Sequence, residues 1–311
     1  MSDFGPAAQR QKTLKTRINC SGVGLHSGRR VTMTIGPAAV DSGIRFQRTD
    51  PAGQDAVIPA RWDHVVDTRL CTVIGNGDGI NVGTVEHLMA AFAGLGVDNA
   101  TVEIGGPEVP IMDGSADAFV FLIECAGVVE QSAPAKRIRI LKTVTVGDGK
   151  GAMVTLTPAA YSGLDFALDF ANPAVGRQEK SIHIAADSFK RELARARTFG
   201  FAEEVEMLRK AGLARGGSMD NAIVIGADRV LNREGLRFGD EFVRHKMLDA
   251  LGDIYLAGAM IEGRFSGTRS GHALNNQLLR ALFADSEAWT IVEVPTIVAD
   301  WHDAEIQQAT A

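Results

Sequence analysis

Thr34-Ile35-Gly36-Pro37-Ala38-Ala39-Val40-Asp41-Ser42-Gly43-Ile44-Arg45-Phe46 returns later in the chain, with one deletion, as Thr155-Leu156-Thr157-Pro158-Ala159-Ala160-Tyr161-Ser162-Gly163-Leu164-Asp165-Phe166. Each copy reads as strand, Pro/Gly turn, strand, which is a hairpin pattern. Downstream of each copy a helix is expected that carries a histidine followed by apolar residues at helical spacing. In the first half it is Thr84-Val85-Glu86-His87-Leu88-Met89-Ala90-Ala91-Phe92, and in the second Arg244-His245-Lys246-Met247-Leu248-Asp249-Ala250-Leu251-Gly252-Asp253. The histidines lie further apart than the two hairpin units, so the second half carries an insertion, placed at about residues 199–225.

Glu130-Gln131-Ser132-Ala133-Pro134-Ala135-Lys136 is short, polar and broken by proline, and it marks the boundary between halves. The expected division is a first domain at 1–130 with its own insert, a second at 135–300, and a C-terminal tail at 301–311. Hairpins mixed with helices indicate an α+β fold of sheet layered against helix. No GxGxxG follows a strand and no P-loop sequence occurs, which disfavours a dinucleotide-binding fold. Two like halves that each deliver a histidine make their interface the expected place for a site.

The net charge of −6 over 311 residues, without a basic run, argues against a general nucleic-acid partner. Cys20, Cys71 and Cys125 are widely spaced and form no CxxC, so neither a disulfide framework nor a zinc ribbon is suggested, and a reducing cytoplasm fits. The most apolar stretch, residues 118–129, is short and interrupted by Glu124, so no transmembrane segment is expected.

His245 and Asp249 sit one helical turn apart on one face, near enough to share a metal ion, and His87 supplies the third ligand that a hydrolytic zinc site needs. His-x-x-x-Asp on a helix equally describes a surface ion pair. Glu86, beside His87, is a candidate general base. With Thr84 as N-cap, however, a carboxylate at residue 86 is also what the helix dipole favours without any catalysis. His272, in Ser270-Gly271-His272-Ala273-Leu274-Asn275-Asn276, could protonate a leaving amine with Asp253 keeping it charged, or could be an ordinary residue at a loop-to-helix junction. Its removal is expected to act mainly on the acid limb of the pH profile. His26, in a glycine-rich hairpin, has no assigned role, and His64, His183 and His302 read as ordinary.

Taken together, six segments resemble the UDP-3-O-acyl-N-acetylglucosamine deacetylases, zinc hydrolases of lipid A synthesis in Gram-negative bacteria. They are Thr84-Val85-Glu86-His87-Leu88, Pro110-Ile111-Met112-Asp113-Gly114-Ser115-Ala116, Arg197-Thr198-Phe199-Gly200, Gly216-Gly217-Ser218 before Asn221-Ala222, Phe242 through Ala250, and Ser270 through Asn276. The likeness runs in order from about residue 10 to about 300.

The resemblance implies two similar domains, each a layered β-α-α-β sandwich with an insert, and an active site between them. It implies one Zn2+ per chain on His87, His245 and Asp249, although Fe2+ could occupy the same ligands. It further implies Glu86 as base, His272 as acid supported by Asp253, and Thr198 as an oxyanion contact. Lys246 and Arg269 would meet the glucosamine or diphosphate, Arg269 standing where the family commonly has lysine. Phe199, Gly217 and Ser218 would border a passage for the acyl chain. The implied reaction is hydrolysis of the N-acetyl group of the UDP-3-O-acyl sugar to acetate and free amine, the committed step of lipid A synthesis, by a cytoplasmic enzyme expected to be a monomer. The rivals are another zinc amidohydrolase acting on a different acylated sugar or peptide, and a nucleotide-sugar or lipid-binding module with structural histidines.

Overall fold

The computed structural model describes residues 9–50 and 56–294. The expected tail at 301–311, with His302, lies outside these residues.

The first half contains β1 (Arg10–Leu14), β2 (Ile18–Val23), β3 (Arg30–Pro37), β4 (Ile44–Arg48) and β5 (Val57–Pro59). Three short strands follow, β6 (Val65–Asp67), β7 (Val73–Gly75) and β8 (Asn81–Val82), then α1 (Glu86–Leu95), β9 (Ala100–Ile104), α2 (Asp117–Ala126) and β10 (Val128–Pro134). The second half begins with β11 (Lys136–Ile140), β12 (Val144–Gly147), β13 (Met153–Thr157), β14 (Ser162–Asp169) and β15 (Arg177–His183). It continues through α3 (Ala186–Glu192), β16 (Phe199–Phe201), α4 (Ala202–Lys210) and β17 (Ile223–Ile225), and ends with α5 (Glu241–Tyr255), β18 (Met260–Thr268), α6 (His272–Ala284) and β19 (Trp289–Glu293).

The repeat extends to strand pairing, and it corrects one expectation. β3 and β4 do not pair with each other as a hairpin: β9 lies between them, antiparallel to β3 and parallel to β4. In the second half β18 lies between β13 and β14 with the same directions. The physical reason is that each inserted strand arrives from a buried helix by a parallel crossover, which places it in the slot between the two arms of the turn. Inward-facing residues agree across the copies, with Ile35 and Phe46 in one and Leu156 and Phe166 in the other all buried. Residues 130–134, expected as a polar connection, belong to β10, which pairs with β1. The short sheet β6-β7-β8 lies between β4 and α1 in sequence, and the parallel pair β16-β17, joined through α4, lies between β14 and α5.

α1 and α5 pack against each other, and one continuous apolar core runs through both halves. α1 is buried along almost its whole length, from Glu86 to Gly94, as expected of a helix whose apolar residues surround the axis. It stops at Gly96, whose left-handed φ of 66° suits the C-terminal turn. At the crossing, a Cβ on Gly252 would stand 1.9 Å from the carbonyl oxygen of Glu86. Gly252→Ala is therefore expected to force two buried helices apart, costing about 3 kcal/mol, the upper part of the usual range for overpacking. A denaturant midpoint equal to that of the parental protein would refute this close approach.

Candidate active site and metal centre

The helix crossing brings residues 86 and 87 of α1 opposite residues 245, 249 and 253 of α5. His87, His245 and Asp249 are buried, and their ligand atoms all lie within 4.8 Å of one another. Oδ1 of Asp249 is 3.4 Å from Nε2 of His87 and 3.3 Å from Nε2 of His245. This oxygen is buried and has no hydrogen-bond partner among the described residues. Ligands about 2.0–2.1 Å from a tetrahedral ion stand about 3.3 Å apart, so these three groups fit such an ion, and a cation there would satisfy the Asp249 oxygen.

Neighbouring groups orient the three side chains. Nδ1 of His245 donates to the carbonyl of Ala196 at 3.0 Å, which leaves Nε2 with its lone pair toward Asp249. Burial pushes the His245 pKa down to about 4, so the ring is neutral, as a ligand must be. Nζ of Lys246 donates to the second Asp249 oxygen, Oδ2, at 2.7 Å. Burial opposes charge on Asp249, but the facing His245 ring and the Lys246 ammonium hold it well below the usual carboxylate range. Lys246, expected as a substrate contact, is thus bonded to Asp249.

Glu86 and His272 face each other across the same cavity, with Nε2 of His272 3.9 Å from Oε1 of Glu86. Burial raises the Glu86 pKa. His272 opens α6, and its Nδ1 bonds Oδ2 of Asp253 at 2.8 Å. Burial alone would discharge the imidazolium, but the carboxylates of Asp253 and Glu86 outweigh it and push the pKa up to about 9.

The expected N-cap needs correction. α1 begins at Glu86 with Val85 before it, and no side chain caps its start. Thr84 has a left-handed φ of 55°, uncommon for a β-branched residue, and its hydroxyl donates to Oε1 of Glu108 at 2.9 Å instead. Glu86 is also not spent on the helix terminus, since its Oε2 accepts the backbone N–H of Thr72 at 3.1 Å.

The cavity, about 280 Å³, is walled by Thr198, Phe199 and Lys246 as well as the groups above. Phe199 stacks edge-on against Phe242 at 5.0 Å and lies 6.2 Å from the His245 ring. Three expected contacts lie off this wall. The Arg269 guanidinium reaches the carbonyl of Gly151 at 3.4 Å, a weak surface contact. The Gly217 Cβ position is 3.6 Å from Cδ1 of Leu25, which does line the cavity, and the backbone N–H of Ser218 bonds Asn221. Gly217 therefore stands behind a lining residue.

Residues without an expected role also line the cavity. Both ring nitrogens of His26 are buried there without a hydrogen-bond partner among the described residues, and Leu25, Leu70 and Phe170 complete much of the apolar wall. His26 carried a signal, a histidine in a glycine-rich turn. The apolar residues carried none, because nothing local distinguishes a cavity wall from a core.

Comparison with known proteins identifies the family. A family model described as UDP-3-O-acyl N-acetylglycosamine deacetylase matches residues 11–284. A protein of Acidithiobacillus ferrooxidans named UDP-3-O-acyl-N-acetylglucosamine deacetylase is 56% identical over 286 residues, covering 91% of this chain and 93% of the relative. Proteins of the same name from Shewanella violacea and Shewanella halifaxensis are 49% and 50% identical, covering 92% and 91% of this chain and 94% and 92% of their own lengths. With its buried His–His–Asp cluster, its facing carboxylate and imidazole, and a match spanning nearly the whole described chain, the protein belongs to the UDP-3-O-acyl N-acetylglycosamine deacetylase (LpxC) family.

Proposed function

We propose that this chain hydrolyses the N-acetyl group of UDP-3-O-acyl-N-acetylglucosamine, a step of lipid A synthesis, with zinc held by His87, His245 and Asp249. The observation that carries the mechanism is the placement of Glu86 and His272 on either side of one cavity beside that cluster. Zinc when bound supplies Lewis acidity toward the acetamide carbonyl and lowers the pKa of water beside it. Oε1 of Glu86 takes a proton from the attacking water as its oxygen bonds to the carbonyl carbon. Nε2 of His272 then gives its proton to the sugar nitrogen as the carbon–nitrogen bond breaks, so that acetate and the free amine leave. Asp253 holds Nδ1 of His272 and keeps the ring charged for that transfer. Thr198 is assigned to the oxyanion, Lys246 and Arg269 to the polar head of the substrate, and Phe199, Gly217 and Ser218, with Leu25, to the acyl chain. We assign the domains to residues 1–130 and 135–300, each half contributing ligands to the interface.

Among the described residues no helix is long and apolar enough to cross a membrane. A cytoplasmic, monomeric enzyme is the proposed setting. The test is incubation with UDP-3-O-acyl-N-acetylglucosamine: acetate and a primary amine should appear in equal amounts, and release of neither would refute the assignment.

The raised pKa of His272 gives the proposed acid role a sign in pH. A general acid must be protonated, so its contribution is lost as pH rises through its pKa. The limb that belongs to His272 is therefore the alkaline one, not the acid one anticipated from sequence. A bound cation would draw that pKa down from about 9. His272→Ala is expected to lower turnover about 100-fold and to remove the alkaline fall in activity. An unchanged alkaline limb would assign the acid role elsewhere.

A further inference from the structure

Thr72 is buried at 2% exposure between β6 and β7, in the short sheet that precedes α1, and it bonds both Glu86 and the Asp253 carboxylate that holds His272. Its backbone N–H donates to Oε2 of Glu86 at 3.1 Å, and its carbonyl accepts the N–H of Val85 at 3.4 Å. Its hydroxyl donates to Oδ1 of Asp253, across the helix crossing, at 2.5 Å. We propose that Thr72 is a positioning residue that sets the proton-transfer geometry of both Glu86 and His272, acting on the first through its N–H and on the second through Asp253.

The hydrogen-bond inventory supports this role. The two oxygens of Asp253 are divided: Oδ2 accepts Nδ1 of His272 and Nδ2 of Asn275, each at 2.8 Å, and Oδ1 accepts the Thr72 hydroxyl. A threonine hydroxyl has a single proton to give, and a short bond to a carboxylate is of the strong, charge-assisted kind. It fixes the carboxylate plane, and with it the direction of the His272 ring. On the other side, occupying Oε2 of Glu86 leaves Oε1 as the oxygen that faces His272. One residue thus ties the base on α1 to the orienting carboxylate on α5. Without the hydroxyl, Asp253 would keep a buried oxygen unpaired and could rotate, carrying the imidazole with it.

The inference rests on the deacetylase reading, and the experiment separates the two. Thr72→Val keeps the shape and the backbone N–H but removes the hydroxyl. Its kcat, normalised to metal-loaded folded protein, is expected to fall about 10- to 100-fold with KM changed by less than about threefold. Thr72→Ser should return to within about threefold of the parental kcat. In a cycle with Asp253→Asn, Thr72→Val should add little to the single Asp253 defect, because both act on the same carboxylate. A normalised kcat for Thr72→Val equal to the parental value, a serine variant as slow as the valine one, or full additivity in the cycle would each overturn the inference. If the parental protein released no acetate, the reaction itself would have been misassigned.

Discussion

His245→Ala is expected to yield a folded protein that no longer retains metal and whose turnover has fallen by at least about 10³-fold, equivalent to roughly 4 kcal/mol of transition-state stabilisation. The expectation follows from ligand counting. Three side chains converge on the site, and Oδ1 of Asp249 is a buried oxygen 3.4 Å and 3.3 Å from the two imidazole nitrogens. Removing one imidazole leaves two ligands, fewer than the three protein ligands of a catalytic zinc site. Elemental analysis of purified protein should give about one zinc per parental chain and close to none for the variant, and a chelator should bring the parental enzyme to the same state. The fold should survive, because the core around α1 and α5 consists of Leu88, Phe92, Leu248 and Leu251 rather than the ligands. A metal-free variant that worked as well as the parental enzyme would sink the proposed chemistry.

Glu86→Ala is expected to do the opposite to the metal: to retain it while losing about 10²- to 10⁴-fold in turnover. Glu86 is not among the ligands, and its two oxygens have separate tasks, Oε2 accepting from Thr72 and Oε1 facing His272. Burial raises its pKa, bringing a carboxylate toward the range useful to a general base. Because a base must be deprotonated, its contribution appears as pH rises through that pKa, giving the acid limb opposite the His272 limb. Survival of most activity, or loss of metal with it, would assign the base elsewhere.

The internal repeat, the two helical histidines and the i, i+4 partner on α5 were legible in the sequence, since each depends on residues close along the chain. The pairing of the repeated strands was not. A strand–turn–strand segment looks the same whether its arms pair directly or admit a third strand, and only the long-range return of β9 and β18 decides. The Thr84 cap failed for a similar reason: a local rule offered its hydroxyl to the helix, whereas tertiary structure placed Glu108 within reach. The absence of any local partner for Thr72, and of any chemical mark on Leu25, Leu70 or Phe170, kept their positions invisible.

By itself the sequence determined which side chains are chemically able to form a hydrolytic centre and that they come from two like halves, because composition and helical period are short-range properties. The tertiary structure alone decided how those side chains face one another. The Gly252–Glu86 contact sets the helix crossing, and that crossing turns His87 and His245 toward Asp249 and brings Glu86 near His272. Hydrogen bonds from Thr72 to Glu86 and Asp253, and from His245 to the Ala196 carbonyl, then select which oxygen or nitrogen remains free to react. Such selection depends on distances between residues far apart in the chain, and no local pattern encodes them.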